Sequence, residues 1–246
     1  MNPLAVQLWT VREELATDLD GVLRQLAEIG YGAVEPFDVV SDPSGLRASL
    51  DAAGLVAPSV HGKTEQGAAL FDGAKAVGAE TVYIAYEPPE RFATVDSVRE
   101  LAGELREFAA TAAGYGLRAG YHNHDHELSS ILDGRTALEI LAELAGEQLE
   151  LEVDIYWAAT GGQDVAALLG RLGERVTALH VKDGPAVRGE PMTAVGAGTL
   201  PIAEIIRSAP WVQRYIVEED ECAPGVAMMT EVRRSRDWLV EQGFAA

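Results

Sequence analysis

Seven consecutive residues, Tyr121-His-Asn-His-Asp-His-Glu127, hold three of the chain's five histidines together with two carboxylates. Imidazole and carboxylate groups at this density suit a divalent metal ion, so the stretch reads as one corner of a metal site. The other corners are Asp154 in Val-Asp-Ile-Tyr-Trp, His180 in Leu-His-Val-Lys-Asp and Glu218 in Ile-Val-Glu-Glu-Asp. Each ends a short apolar run, so the recurrence itself points to a common end of one sheet.

The elements that would carry these groups follow from periodicity. Alternation predicts strands over Leu4–Trp9, Ala33–Phe37, Leu55–His61, Glu80–Ala85, Leu117–Asn123, Leu149–Asp154, Val176–Lys182 and Tyr215–Glu218. Helical patterns separate them, from about Ala16 to Ile29, Pro43 to Ala53, Glu65 to Val77 and Val95 to Tyr115, with a short helix through about Ser208 and a last one from about Gly225 to Val240. One face of each strand is aliphatic, while the other begins small and ends polar or ionisable, as in Ala57, Ser59, His61 and in Ala178, His180, Lys182. A closed parallel barrel demands this, because inward residues at the C-terminal ends of its strands line a site rather than a core. An open doubly wound sheet would give more uniformly apolar strands. The expected fold is therefore α/β, a single (β/α)8 barrel spanning residues 1–246 with its site at the C-terminal strand ends.

Composition narrows the function. A formal charge of −20 works against binding a phosphate backbone, which needs clustered Lys and Arg; nucleic acid is not an expected partner. No stretch reaches about 18 uninterrupted apolar residues, and the N-terminal residues lack the pattern of a signal peptide, so no membrane association and a cytoplasmic location are expected. Cys222 is the only cysteine, which excludes an intrachain disulfide and a Cys-based zinc site. No Gly-x-Gly-x-x-Gly follows the first strand.

Carboxylates gathered in an enclosed site repel one another unless a cation compensates them. Glu35, Glu127, Asp154, Asp183 and Glu218 all fall at predicted strand ends or just beyond. A divalent ion held by three carboxylates and one imidazole favours Mn²⁺ or Mg²⁺, with Co²⁺ or Zn²⁺ also fitting. The competing arrangement is a set of ion pairs with Arg118, Lys182 and Arg214.

Together with the loop Gly196-Ala-Gly-Thr-Leu-Pro201, Val217-Glu-Glu-Asp220 and the motifs above, the chain resembles the xylose isomerase-like barrel superfamily, in its sugar phosphate isomerase/epimerase branch. The resemblance implies one divalent metal, most simply Mn²⁺, held by Glu, Asp, His and Glu from successive late strands. Asp154, His180 and Glu218 match the last three. For the first, the sequence offers Glu127, with His124 as the competing ligand, because relatives with ketose epimerase activity carry that Glu directly on the fifth strand, where this chain has Tyr121 and His122.

The implied chemistry is proton transfer next to a sugar carbonyl through an enediolate. Glu127 and Glu218 would move the proton, with His124 a third catalytic candidate; Lys182, His61 and His122 would hold substrate, Glu35 would orient a histidine on that side, and Trp9 and Trp157 would pack on a sugar ring. The alternative is a lyase using the same groups for dehydration or β-elimination of a keto-inositol, keto-sugar or 3-keto-glycoside. A Schiff-base aldolase through Lys182 is a further class, as are a metal-dependent abasic-site endonuclease and a binding protein on a decayed barrel. Only Gly196 to Gly198 offers backbone amides to a phosphate, without adjacent basic residues, so an unphosphorylated substrate is expected. The resemblance also suggests a homodimer paired through the barrel mouths.

Overall fold

A computed structural model describes residues 3–212 and 214–245. Eight parallel strands run β1 Ala5–Gln7, β2 Ala33–Glu35, β3 Ser59–Gly62, β4 Thr81–Ile84, β5 Arg118–His122, β6 Leu149–Asp154, β7 Val176–Val181 and β8 Tyr215–Val217. They lie in the order β2-β1-β8-β7-β6-β5-β4-β3. The remaining seam, between β2 and β3, is closed by irregular contacts: Val34 N–H donates to Val56 O at 2.9 Å and His61 N–H to Pro36 O at 2.8 Å. The chain is thus the expected single (β/α)8 barrel.

β3 starts later than the alternation predicts. Pro58 brings no N–H to a ladder, and Val56 makes only an isolated bridge to Ala33 before the strand proper begins at Ser59. β1 ends at Gln7 because Leu8–Val11 winds into a 3-10 turn, in which the Trp9 amide donates to Gln7 Oε1 at 3.1 Å. Elements without a predicted range include the helices Ala137–Ala145, Ile155–Thr160 and Val165–Leu172 and an antiparallel pair, Ile131–Leu132 with Arg135–Thr136. The pair's two-residue link, Asp133-Gly134, has positive φ at both positions, the turn such a dipeptide favours.

Helices cover the outside. Asp18, Asp42, Thr94, Thr136 and Asp164 each begin one by accepting an amide in the first turn. Gly30, Gly54 and Gly78 end three of them in the left-handed conformation. Their apolar stripes bury Leu23, Leu26, Leu50, Leu70, Leu101 and Leu105 against the outward faces of the strands, and a fully buried aliphatic side chain contributes roughly 1.5–3 kcal/mol. Inside the barrel a small apolar group, Ala5, Ala33, Tyr83, Ala178 and Ile216, fills the space below the polar residues. Among the described residues no helix is long and apolar enough to cross a membrane.

Candidate metal centre and cavity

The inward positions near the C-terminal ends of β1, β2, β3, β5, β6, β7 and β8 are Gln7, Glu35, His61, His122, Glu152 with Asp154, His180 and Glu218, and all are buried. Strand pairing sets their heights: Gln7 lies opposite Glu35, His122 opposite Glu152, and Asp154 opposite His180. Two groups result. Ligand atoms of His122, Asp154, His180 and Glu218 lie within 4.8 Å of one another, and so do those of His61, His122, Glu152 and His180.

Hydrogen bonds tie the groups together. Glu152 Oε2 lies 2.6 Å from His61 Nε2 and 3.1 Å from His122 Nδ1. His180 spans the two, with Nε2 2.7 Å from Glu35 Oε2 and Nδ1 2.7 Å from Glu218 Oε2. Gln7 Nε2 donates to Glu35 Oε2 at 2.9 Å. Above them the Lys182 ammonium lies 3.1 Å from Asp154, 2.8 Å from Glu218 and 2.8 Å from Asp220.

The charges follow from these partners. Burial opposes a charged imidazole at His180, but the carboxylates of Glu152 and Glu218 outweigh it and raise its pKa well above the usual value. Burial likewise opposes charge on His61, yet Glu35 and Glu152 lift it to about 9. Lys182, though buried, is held protonated by Asp154, Asp220 and Glu218. Burial acts to raise Glu218, but Lys182 and His180 hold it well below the ordinary carboxylate range. At Asp154 burial wins against Lys182, and the group rises to about 6. His122 is kept neutral by burial and by neighbouring His180.

A cavity of about 570 Å³ opens above this floor, lined by Trp9, Phe37, His61, Tyr86, His122, His124, Lys182, Glu218 and Asp220 among others. Its size falls in the range of small-molecule sites. Trp9, 43% exposed, stands at the rim edge-on to Phe37 with the Arg12 guanidinium 4.7 Å from its ring. His124 meets Tyr86 edge-on, and its Nδ1 is buried without a hydrogen-bond partner. Burial, reinforced by Lys182, lowers His124 to about 3, so its imidazole is neutral.

The structure therefore brings together Asp154, His180 and Glu218 as expected, with His61, His124, Lys182 and Trp9 around the cavity. The other predicted residues lie as follows. Glu127 is not among the clustered donors: β5 stops at His122, residues His126–Ser129 form a helical turn, and the Glu127 carboxylate turns to the Tyr121 hydroxyl and the His124 amide at 2.7 and 2.9 Å. His122, expected on the substrate side, lines the cavity and also supplies the fourth donor atom of the upper group. Glu35, expected to orient a histidine, lies beneath the histidines with its Oε2 2.7 Å from His180 Nε2, and Trp157 lies behind the wall, its ring 5.5 Å from the Lys182 nitrogen, so neither lines the cavity.

Glu152 is the member of the cluster that the sequence does not single out. Glu152 shares a face with Asp154, and its alternation was visible, but the stagger that levels it with three histidines was not. Asp183 does not join the site: its carboxylate accepts the amides of Gly184, Gly196 and Gly198 at 2.8, 2.9 and 3.1 Å. The backbone donors of the Gly196–Gly198 loop are thereby used within the protein.

The upper group fits a divalent ion. Its two carboxylates and two imidazoles come one each from four adjacent strands. Asp154 Oδ2 is buried and makes no hydrogen bond, its charged neighbour being the Lys182 ammonium at 3.1 Å, so the oxygen sits where positive charge is favoured, as expected of one suited to a cation.

The sequence profile of the xylose isomerase-like TIM barrel family matches residues 23–241. The chain belongs to this family. No curated protein matches it. Among solved structures it resembles a sugar phosphate isomerase/epimerase from Parabacteroides distasonis, at 21% identity and TM-score 0.88 over 99% of this chain and 95% of that one. It also resembles the probable 3-DHS dehydratase of petrobactin synthesis from Bacillus anthracis, at 14% identity and TM-score 0.75 over 97% and 99% of the two chains. A third is a 3-keto-D-glucoside 4-epimerase from E. coli, at 16% identity and TM-score 0.70 over 92% and 95%. At these identities the likeness establishes the barrel.

Proposed function

We propose that the protein is a divalent-metal-dependent sugar isomerase or epimerase that moves a proton beside a carbonyl through an enediolate. The observation carrying this reading is the convergence of His122, Asp154, His180 and Glu218 under an open cavity. These four residues would hold the ion, which when bound polarises a carbonyl oxygen and stabilises the negative charge that develops there. Two imidazoles in the set, rather than the one expected, move the preference from Mg²⁺ towards Mn²⁺, Co²⁺ or Zn²⁺.

The chain's own groups supply the rest. Glu218, ionised between Lys182 and His180, accepts the proton from the carbon next to the carbonyl. His124, neutral and on the cavity wall, returns a proton at the second position after taking one from solvent. Lys182 and His61 donate to substrate oxygens, and Trp9 packs on the ring of a small carbohydrate. With the Gly196–Gly198 amides committed to Asp183, an unphosphorylated or keto-sugar substrate fits best.

Elemental mass spectrometry tests the site. Wild type should carry about one divalent ion per chain, lost in Asp154→Ala and Glu218→Ala; a wild type metal-free after reconstitution would overturn the reading. Incubation with ketoses and 3-keto-sugars should then give products of unchanged mass. Loss of one water would assign the lyase reaction instead, which starts from the same proton abstraction.

A further inference from the structure

The lower carboxylates, Glu35 and Glu152, touch the proposed ligands without belonging to the upper donor set. A neutral imidazole has one N–H and one lone pair, and its hydrogen-bond partner decides which nitrogen carries which. His122 presents Nδ1 to Glu152 Oε2 at 3.1 Å. His180 presents Nε2 to Glu35 Oε2 at 2.7 Å and to Glu152 Oε2 at 3.1 Å.

Both carboxylates are built to accept. Each is fully buried, each has an Oε1 without a partner, and Gln7 fixes Glu35 by donating at 2.9 Å to the same Oε2 that faces His180. The His180 nitrogen on the opposite edge of the ring is the one that faces Glu218.

We propose that Glu152 and Glu35 are positioning residues for the metal ligands His122 and His180. By accepting Nδ1–H of His122 and Nε2–H of His180, they leave His122 Nε2 and His180 Nδ1 as the lone-pair nitrogens for an ion shared with Asp154 and Glu218. The carboxylate beneath each ring also raises the basicity of the nitrogen above it, and such partners commonly set metal affinity within a factor of about 10–100. The inference rests on the metal reading given above and extends it one layer into the barrel.

Cobalt titration of the metal-free protein tests it, with Co²⁺ alone as the probe and its visible absorption as the readout. Wild type should take up one Co²⁺ per chain. Glu152→Gln and Glu35→Gln should also take up one, with the same band positions, since the ligands are unchanged, but with affinity lowered about 10–100-fold. Near-UV circular dichroism selects folded variants, and the two substitutions act on different edges of the cluster, so one suffices if the other does not fold.

Affinities within twofold of wild type in the folded variants would overturn the positioning role. So would two Co²⁺ per wild-type chain with one lost in Glu152→Gln, because Glu152 would then be a ligand in its own right among His61, His122 and His180. Failure of the underlying metal reading has a different signature, a wild type that itself binds no Co²⁺.

Discussion

The Tyr121 hydroxyl donates to the Glu127 carboxylate across 2.7 Å, and both side chains are buried. Tyr121 lies between inward-facing Gly120 and His122 on β5, so its ring points outward, where it packs near Phe92. Glu127 has followed it to the outer side of the strand.

This placement has a pH signature. Burial raises Glu127 to about 7 despite the hydrogen bonds that favour its ionised form. A carboxyl whose folded pKa lies above its unfolded one contributes stability below about pH 4.5 that is lost as pH rises through about 7, a change on the order of 3 kcal/mol. Glu127→Gln should therefore flatten the pH dependence of urea unfolding between pH 5 and 8 while keeping the wild-type metal content. Loss of bound metal in this variant would show that Glu127 is a ligand after all.

Lys182 separates metal chemistry from imine chemistry. An imine-forming lysine must be a free amine at working pH, whereas Lys182 is a buried ammonium held by Asp154, Glu218 and Asp220. Borohydride added with a ketose should leave the protein mass unchanged. Lys182→Met should lose about 3–5 kcal/mol of stability, because three carboxylates lose their buried partner. A covalent adduct mapped to Lys182 would instead restore the aldolase reading.

Asp154, His180, Glu218 and His61 were legible in the sequence because each falls at the end of an alternating run, where period two fixes the direction of a side chain. Glu152 had the same direction, yet its importance depends on strand stagger, which pairs it with His122 and is not encoded in any one strand. Glu127 and Asp183 lie beyond strand ends, where periodicity no longer constrains the chain. A helical turn carries the first outward, and the second faces a run of loop amides. The fold needed only the alternation of elements; the centre needed the register between them.

The loop anchored on Asp183 gives a stability prediction. Its carboxylate accepts backbone amides from Gly184, Gly196, Gly198 and Leu200, and a Cβ on Gly198 would fall 2.1 Å from its Oδ1. Asp183→Ala should cost about 3–5 kcal/mol in urea unfolding, since hydrogen bonds to a charged group contribute about 1.5–3 kcal/mol each before relaxation and water recover part of them. Inorganic phosphate should not raise the melting temperature of wild type through this loop, whose donors are already engaged. A cost under about 1 kcal/mol would mean that the loop holds its shape without the carboxylate.

Gly120 tests the barrel interior independently of the metal. It pairs across the sheet with Tyr83, and a Cβ added there would fall 2.3 Å from the Tyr83 ring and 2.9 Å from Glu150 O. Tyr83 is fully buried in the plug of residues below the site and cannot swing into solvent. Gly120→Ala should therefore destabilise by overpacking, by about 1–3 kcal/mol or more. Gly114 provides the opposite case, since it lies in the helix Val95–Gly114 with nothing within 4 Å of an added Cβ. Gly114→Ala should stabilise by about 0.5–1 kcal/mol through the helix preference of alanine. Equal effects from the two substitutions would show that β5 can shift to admit a methyl group, and the support that Tyr83 gives to the floor of the cavity would be looser than its packing implies.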